Sequence, residues 1–590
     1  MDLRRAVRRL LSMMHREPRL FYGVATLGTI AVAMATTGPW LLGRATDSVV
    51  AGGGPEAVGT LLALAALVYA TEGLCRVLQG RWTARLASGV GYRLRADSQA
   101  KLSRLPLSYF DRVRRGDVLS RVTNDIDNVS QTIQQAIGTF VNTLLTVAGV
   151  LAVMVWLSPL LALVGLASVP LALFVSGRVG ARSQPHFVRQ WAATGALTAH
   201  VEETYSGHQL VKILGRQRQS VREFAECNDA LYRAGLRAQF ISGILQPLMM
   251  LVSHLNYVLV AVAGAVQVAS GSLSIGQVQA FVQYSGQFSA PLAHLAGMAN
   301  MVQSGVASAE RVFELLDAEE QAPDARPAAA LPRPARGRLT MEKVSFRYSA
   351  DRPLIEDLSL TAEPGHTVAI VGPTGAGKTT LVSLFMRFYE VTGGRITLDG
   401  VDITEVPREE LRSAIGMVLQ DTWLFGGTIA ENIAYGSSRR EVTRAEIERA
   451  ARAAHADRFI RTLPRGYDTV IDEEGSGVSA GERQLITIAR AFLSDPVILV
   501  MDEATSSVDG RTERLVQEAM SRLAAGRTCF VVAHRLSTIR HADTILVMRD
   551  GSIAEQGSHD ELVAAGGAYA GLHRAGFTPN RSHSATYRNV

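Results

Sequence analysis

Nine consecutive residues, Gly372-Pro373-Thr374-Gly375-Ala376-Gly377-Lys378-Thr379-Thr380, combine glycines, one lysine and three hydroxyls in a spacing suited to phosphate. The backbone amides of such a loop, with the amino-terminal end of a following helix, point at an anion. Lys378 would meet the terminal phosphates of a nucleoside triphosphate and the Thr379 hydroxyl would ligate Mg2+. The nucleotide contacts assigned to the loop are Gly372, Thr374, Gly375, Ala376, Gly377, Lys378, Thr379 and Thr380. Further on, the apolar run Val497-Ile498-Leu499-Val500-Met501 ends in Asp502-Glu503. Acids at strand ends are common, but downstream of Lys378 this pair fits one carboxylate supporting Mg2+, Asp502, and another handling the attacking water, Glu503. The chemistry is ATP hydrolysis with ATP and Mg2+ as cofactors.

The elements that must position these groups are two buried strands, the one preceding the loop being Val368-Ala369-Ile370-Val371. An α/β P-loop domain follows from that arrangement. The other half of the chain is different. Residues 20–43 contain no Asp, Glu, Lys or Arg over 24 positions, enough for a helix to cross about 30 Å of hydrocarbon. A cleavable signal peptide is excluded by that length and by the apolar segments that follow. A second segment, near 57–80, admits Glu72 and Arg76, which are costly in lipid and should face other helices or water. Residues 128–177 and 238–309 add 50 and 72 positions free of those four types. Each stretch holds two helices, with breaks at Ser158-Pro159 and at Ala269-Ser270-Gly271-Ser272, so six membrane helices are expected.

The Lys and Arg excess sets the orientation. The amino-terminal end and the connection after helix two are arginine-rich, whereas no Lys or Arg occurs between Asp47 and Glu72 or around Pro159 and Ser272. The amino terminus and the ATPase domain are therefore expected on the cytoplasmic side of the cell membrane. The two long connections, 86–127 and 182–237, are rich in helix formers and should extend the membrane helices inward. Gln283, Gln287 and His294 recur at helix spacing on the last membrane helix, with Gln246, His254 and Asn256 before it; lining a cavity and gluing helices together are both open to them.

The chain has 590 residues, 47% hydrophobic, so one core is too few and the average hides two unlike halves. Its 60 basic residues against 54 acidic ones are too mild an excess to imply a nucleic-acid partner. Cys75, Cys227 and Cys529 are too scattered for a disulfide framework or a metal site. The expected division is a transmembrane domain over 1–318, an Ala/Pro-rich linker over 319–337, the nucleotide-binding domain over 338–577 and a disordered tail over 578–590.

Several further motifs make the chain resemble ABC exporter half-transporters. Ser108-Tyr109-Phe110-Asp111, Gly116-Asp117-Val118-Leu119-Ser120-Arg121 and Thr123-Asn124-Asp125-Ile126-Asp127 look like the first intracellular loop of that family, which leads to a coupling helix docking on the ATPase. Val201-Glu202-Glu203 with Gly207-His208 resembles the second. In the ATPase half, Tyr348 stands where the family stacks adenine, and Gln420 where a glutamine reaches Mg2+ and senses the membrane domain. Val478-Ser479-Ala480-Gly481-Glu482 resembles the signature sequence, Ser506-Ser507-Val508-Asp509 the loop carrying Asp509, and His534 the switch histidine near the terminal phosphate.

The resemblance implies that Ser479 and Gly481 act on nucleotide held by a second subunit, so the chain works in the bilayer only as a dimer. It implies ATP-driven alternating access exporting a small hydrophobic or amphipathic solute, drug-like or lipid-like. Siderophore-type import on the same fold and an ATP-gated channel or regulatory membrane ATPase are the competing readings. The signature departs from the usual pattern, with Val478 for leucine, Ala480 for glycine and Glu482 for glutamine. Similar variants occur in subunits of heterodimeric multidrug exporters, so a different half-transporter is the expected partner, with a homodimer as the alternative.

Overall fold

The computed structural model describes residues 3–349, 351–419, 422–437, 441–472, 477–502, 510–532 and 539–574, with the backbone alone over 289–300. The tail expected over 578–590 lies outside them. The contacts divide the chain into two units: Met1–Leu105 with Val113–Glu319, and Pro106–Arg112 with Glu320–Val590.

In the first unit a short helix, Leu3–Met14, precedes the long ones. Among the described residues five helical runs are long and apolar enough to cross a membrane: Pro18–Val50, Pro55–Leu102, Arg115–Leu157, Pro159–Ser206 and Gln217–Ala269. A sixth long helix, Ile275–Asp317, follows and carries no Asp, Glu, Lys or Arg before Glu310. The breaks fall where the sequence places them. Pro55 starts the second helix, and Ser158 caps the next turn, its Oγ accepting from the Leu161 amide at 3.3 Å with Pro159 at the first helical position. Ser274 and Gln277 form a capping box on the sixth helix.

The two long connections are helical, as expected. The second helix has 48 residues, about 72 Å at 1.5 Å per residue and more than twice a hydrocarbon core. Two contacts pin the sixth helix to the first. Asp47 accepts from the Gly276 amide at 2.7 Å and from Ser274 Oγ at 2.6 Å. Beside it, a Cβ built on Gly276 would meet the Gly43 carbonyl oxygen at 1.9 Å, so the two backbones touch where only small residues fit. At the other end, the buried Asp125 of the first connection accepts a fork from Arg311, its Oδ2 at 2.8 Å from Nε.

The second unit holds a six-stranded sheet between smaller ones. Its strands are β1 (Leu339–Phe346), β2 (Ile355–Ala362), β3 (Thr367–Val371), β4 (Gly393–Leu398), β5 (Val401–Asp402), β6 (Ile415–Val418), β7 (Gly427–Thr428), β8 (Val470–Ile471), β9 (Ile498–Asp502), β10 (Thr528–Val532), β11 (Thr544–Arg549) and β12 (Ser552–Gly557). The large sheet runs β12-β11-β3-β10-β9-β6 and is parallel except for β12; an antiparallel sheet runs β2-β1-β4-β5. The parallel strands are apolar on both faces because both are covered, one by helices and the other by the antiparallel sheet and the helix Lys378–Phe385, and β10 is buried at all five positions.

The stretch read as a linker forms neither helix nor strand, yet it is strapped onto this unit. Asp324 takes the Arg408 guanidinium at 2.6 Å, Leu331 enters the core, and Asp399 accepts the amides of Arg336, Gly337 and Arg338 at 2.7–3.2 Å. Pro106–Arg112 also groups here, through Asp111, whose carboxylate accepts from the Tyr389 hydroxyl.

Candidate nucleotide-binding site

Strand β3 delivers the chain into the phosphate loop, and the helix Lys378–Phe385 leaves it. Gly372 must be glycine: its φ is 151°, and a Cβ would stand 2.3 Å from the Met548 carbonyl oxygen on neighbouring β11. Gly375 and Gly377 also hold positive φ, while Ala376 is buried in the core and Thr374 is exposed on the loop. The amino-terminal end of the helix and the loop amides thus form an anion cradle.

Lys378 folds back over the loop, its Nζ donating to the Gly372 carbonyl at 2.7 Å and to the Pro373 carbonyl at 3.0 Å. Burial holds its pKa below the ordinary lysine value, and Asp502 opposes that shift. Thr379 opens the helix with an exposed side chain, whereas Thr380 is buried, its Oγ1 3.1 Å from the Tyr348 hydroxyl. Tyr348 is 56% exposed and stands edge-on to Phe346 at 4.8 Å and to Tyr389 at 5.1 Å. Its position, tied by its hydroxyl to the phosphate loop, leaves ring surface open to a base.

Asp502 ends β9, separated from β3 by β10 alone. Lys378, Thr379, Thr380, Tyr348 and Asp502 are therefore brought together at the carboxyl ends of parallel strands, where open α/β sheets bind ligands. Gln420, Glu503, Asp509 and His534 lie outside the described residues.

The signature segment sits at the start of a separate helix, Ala480–Ser494. Ser479 is its N-cap and Gly481 is buried in its first turn. Glu482 at the third position accepts the Ser479 amide at 2.7 Å, and Ser479 Oγ accepts the Glu482 amide at 3.3 Å.

Two positioning residues carry no motif signal. Tyr389 joins Tyr348 to Asp111, and burial, then hydrogen-bonding to that carboxylate, pushes its phenol pKa up. Arg490, on the signature helix, donates to the Trp423 and Asn432 carbonyls at 2.6 Å each and anchors the segment that follows Gln420. Asn432 in turn clasps Phe425 through its amide and carbonyl, both at 2.9 Å. Apolar periodicity reveals neither residue, because their partners are distant in sequence.

Comparison with known proteins agrees with this geometry. Residues 21–292 match the family described as ABC transporter transmembrane region, and residues 355–506 match the ABC transporter family. The chain is 50% identical over 608 aligned positions to the fatty acid ABC transporter ATP-binding/permease protein of Mycobacterium bovis, with 96% of each chain covered. It is 35% identical over 586 positions to an ATP-dependent lipid A-core flippase of Syntrophus aciditrophicus, covering 99% of this chain and 96% of that one. The solved structure of a bacterial Atm1-family ABC exporter with ATP bound superimposes with a TM-score of 0.74 at 30% identity, over 96% of this chain and 99% of that one. With a helical membrane region and an ATP-binding domain matched along almost its whole length, the chain belongs to the ABC transporter family, as an exporter-type ATPase coupled to transport.

Proposed function

We propose that the chain is one half of a dimeric exporter in the cell membrane, moving an acyl-chain amphiphile outward by alternating access. The observation that carries the reading is that one chain has one phosphate cradle and, on a separate helix, one serine-capped signature terminus. A terminus of that kind attracts phosphate but belongs to a different helix from the cradle, so two chains facing each other complete two ATP sites. The fatty acid transporter and lipid A-core flippase relatives support an amphiphilic, lipid-like substrate. The arginine-rich amino terminus and first connection support a cytoplasmic ATPase.

In this reading Tyr348 stacks on adenine and Lys378 moves from the Gly372 and Pro373 carbonyls to the terminal phosphates. Thr379, Asp502 and Gln420 would hold Mg2+; a hydroxyl, a carboxylate and an amide oxygen are the hard donors that ion takes, and Asp502 acts electrostatically on Lys378 at the same loop. The bound ion supplies neutralisation of phosphate charge. Glu503 orients the attacking water, His534 meets the terminal phosphate, and Ser479, Gly481 and Asp509 serve the facing subunit's nucleotide. ATP closes the two ATPase domains, closure turns the cavity outward, and hydrolysis resets it. The proposed partner is a different half-transporter.

The test is ATP-driven protection of an NBD-labelled acyl lipid from dithionite in proteoliposomes, with the native complex and Glu503→Gln compared. The native complex should move the lipid, and Glu503→Gln should retain ATP while losing about 100-fold or more in turnover. No ATP-dependent movement by a native complex that hydrolyses ATP would overturn the export reading.

A further inference from the structure

Within the first unit, a cavity of about 380 Å³ is walled by residues of the first, second, third and sixth long helices. Among the described residues lining it, Glu72 and Arg76 are the charged ones, one turn apart on the second helix. Arg76 Nε donates to Glu72 Oε1 at 2.7 Å. The two partners differ in exposure: the Arg76 side chain is 47% exposed and Glu72 only 16%. The pair therefore presents its cation. The terminal guanidinium nitrogens make no hydrogen bond among the described residues, an expensive state for a group within a membrane segment.

Across the cavity, Gln287 Oε1 is fully enclosed and has no hydrogen-bond partner. The Nε2 donors are the hydrogens this amide can offer a ligand. Asn142 is satisfied, paired reciprocally with Gln79 at 2.9 and 3.0 Å and donating to the Gly138 carbonyl at 2.8 Å. It fixes the π-helical stretch Ala136–Val141, which brings Thr139 to the wall near Thr143. With Thr146, the cavity thus offers a guanidinium fork, the Gln287 amide and three hydroxyls.

We propose that this cavity is the headgroup subsite for the transported amphiphile and that it takes a carboxylate, with Arg76 as the two-pronged anchor and Gln287 as a second donor. A planar carboxylate matches the guanidinium fork. With one cation present and Glu72 already beside it, a dianionic phosphate would add a further uncompensated charge. Glu72 is the internal competitor that holds the guanidinium between loads. That the bound molecule is then transported rests on the export reading above; its binding does not.

The experiment uses the full-length complex in lipid nanodiscs, with radiolabelled oleate, methyl oleate and oleoyl lysophosphatidic acid as probes. Charge-assisted hydrogen bonds predict that oleate binds at least about tenfold more tightly than its methyl ester. Arg76→Gln should abolish that preference, and Glu72→Gln, by freeing the fork, should increase oleate affinity. If Arg76→Gln does not fold, Gln287→Glu decides, because a new anion facing the fork should weaken oleate and leave the ester unaffected. Equal binding of oleate and ester by the native protein, or a preference that survives Arg76→Gln, overturns the subsite, as does tighter binding of the phosphate lipid than of oleate. Lipid movement without acid preference would sink the subsite alone, and Arg76-dependent oleate binding without ATP-driven movement would sink export alone.

Discussion

Ser479 and Glu482 close a reciprocal capping box, the carboxylate taking the Ser479 amide at 2.7 Å and the hydroxyl taking the Glu482 amide at 3.3 Å. The glutamate that departs from the usual signature is thus the residue that orients the serine. Glutamine can make the same two bonds, and alanine cannot. Glu482→Gln should leave the melting temperature of the purified protein unchanged, whereas Glu482→Ala should cost about 1 kcal/mol and lower it by roughly 2–4 °C. Equal melting of the two variants would show that the cap contributes nothing.

Lys378 makes a prediction with a sign. Burial lowers its folded pKa below 10.5, so the unfolded chain binds more protons in the interval between the two values. The nucleotide-free protein therefore carries the full penalty below the folded pKa, and this group's contribution to stability rises with pH from there towards 10.5. In the proposed site, ATP phosphates would supply the counter-charge and reverse the preference. Thermal unfolding of Lys378→Met should lose the ATP-induced rise in melting temperature; a rise equal to the native one would remove Lys378 from the phosphate site.

Much of this was legible in the sequence because it is local. The phosphate loop, the apolar strand ahead of Asp502, and the breaks at Ser158-Pro159 and Ala269-Ser270-Gly271-Ser272 are each written within a few residues. The cost of burying Glu72 and Arg76 was also legible, and the two are found paired on a cavity wall. What the sequence could not disclose is contact at long range. Asp399 gathers the Arg336 and Gly337 amides of a stretch that reads as linker, Tyr389 meets Asp111, and Arg490 ties the signature helix to Asn432 and Trp423. None of these partners is set by periodicity; each depends on where strands and helices return in space.

Gly276 tests the packing of the first and sixth long helices. A methyl group there would press on the Gly43 backbone, which no side-chain rotation can relieve. Gly276→Ala should destabilise the protein by about 1–3 kcal/mol, read as earlier loss of the monodisperse peak on heating in detergent. Gly286, whose Cβ position on the same helix meets nothing within 4 Å, is the control, and Gly286→Ala should retain native thermal stability. Identical curves for the two variants would mean that the helices do not meet at Gly43.

The last prediction concerns the partner. In the proposed site Lys378, Thr379, Gln420, Asp502, Glu503 and His534 would supply hydrolysis, whereas the signature, proposed to act on the other subunit's nucleotide, departs from the usual pattern at Val478, Ala480 and Glu482. The geometry narrows what that drift can do. Ser479 still caps its helix, Gly481 is still buried in the first turn, and Ala480 adds one methyl at the helix start. The helix-start amides survive, so on the proposed arrangement any loss would come from crowding by Ala480 or from the charge of Glu482 near a phosphate, and both would act on the partner's ATP. In a heterodimer that slower site is tolerable, because the partner's own signature serves Glu503. Expressed alone, the chain should therefore show ATPase activity at least about tenfold below that of the two-chain complex. Restoring the usual residues, Ala480→Gly with Glu482→Gln, should raise the activity of the lone chain. Robust turnover by a stable homodimer of the unmodified chain, abolished by Ser479→Ala, would overturn the heterodimer, since the drifted signature would then support hydrolysis opposite Glu503 without a second gene product.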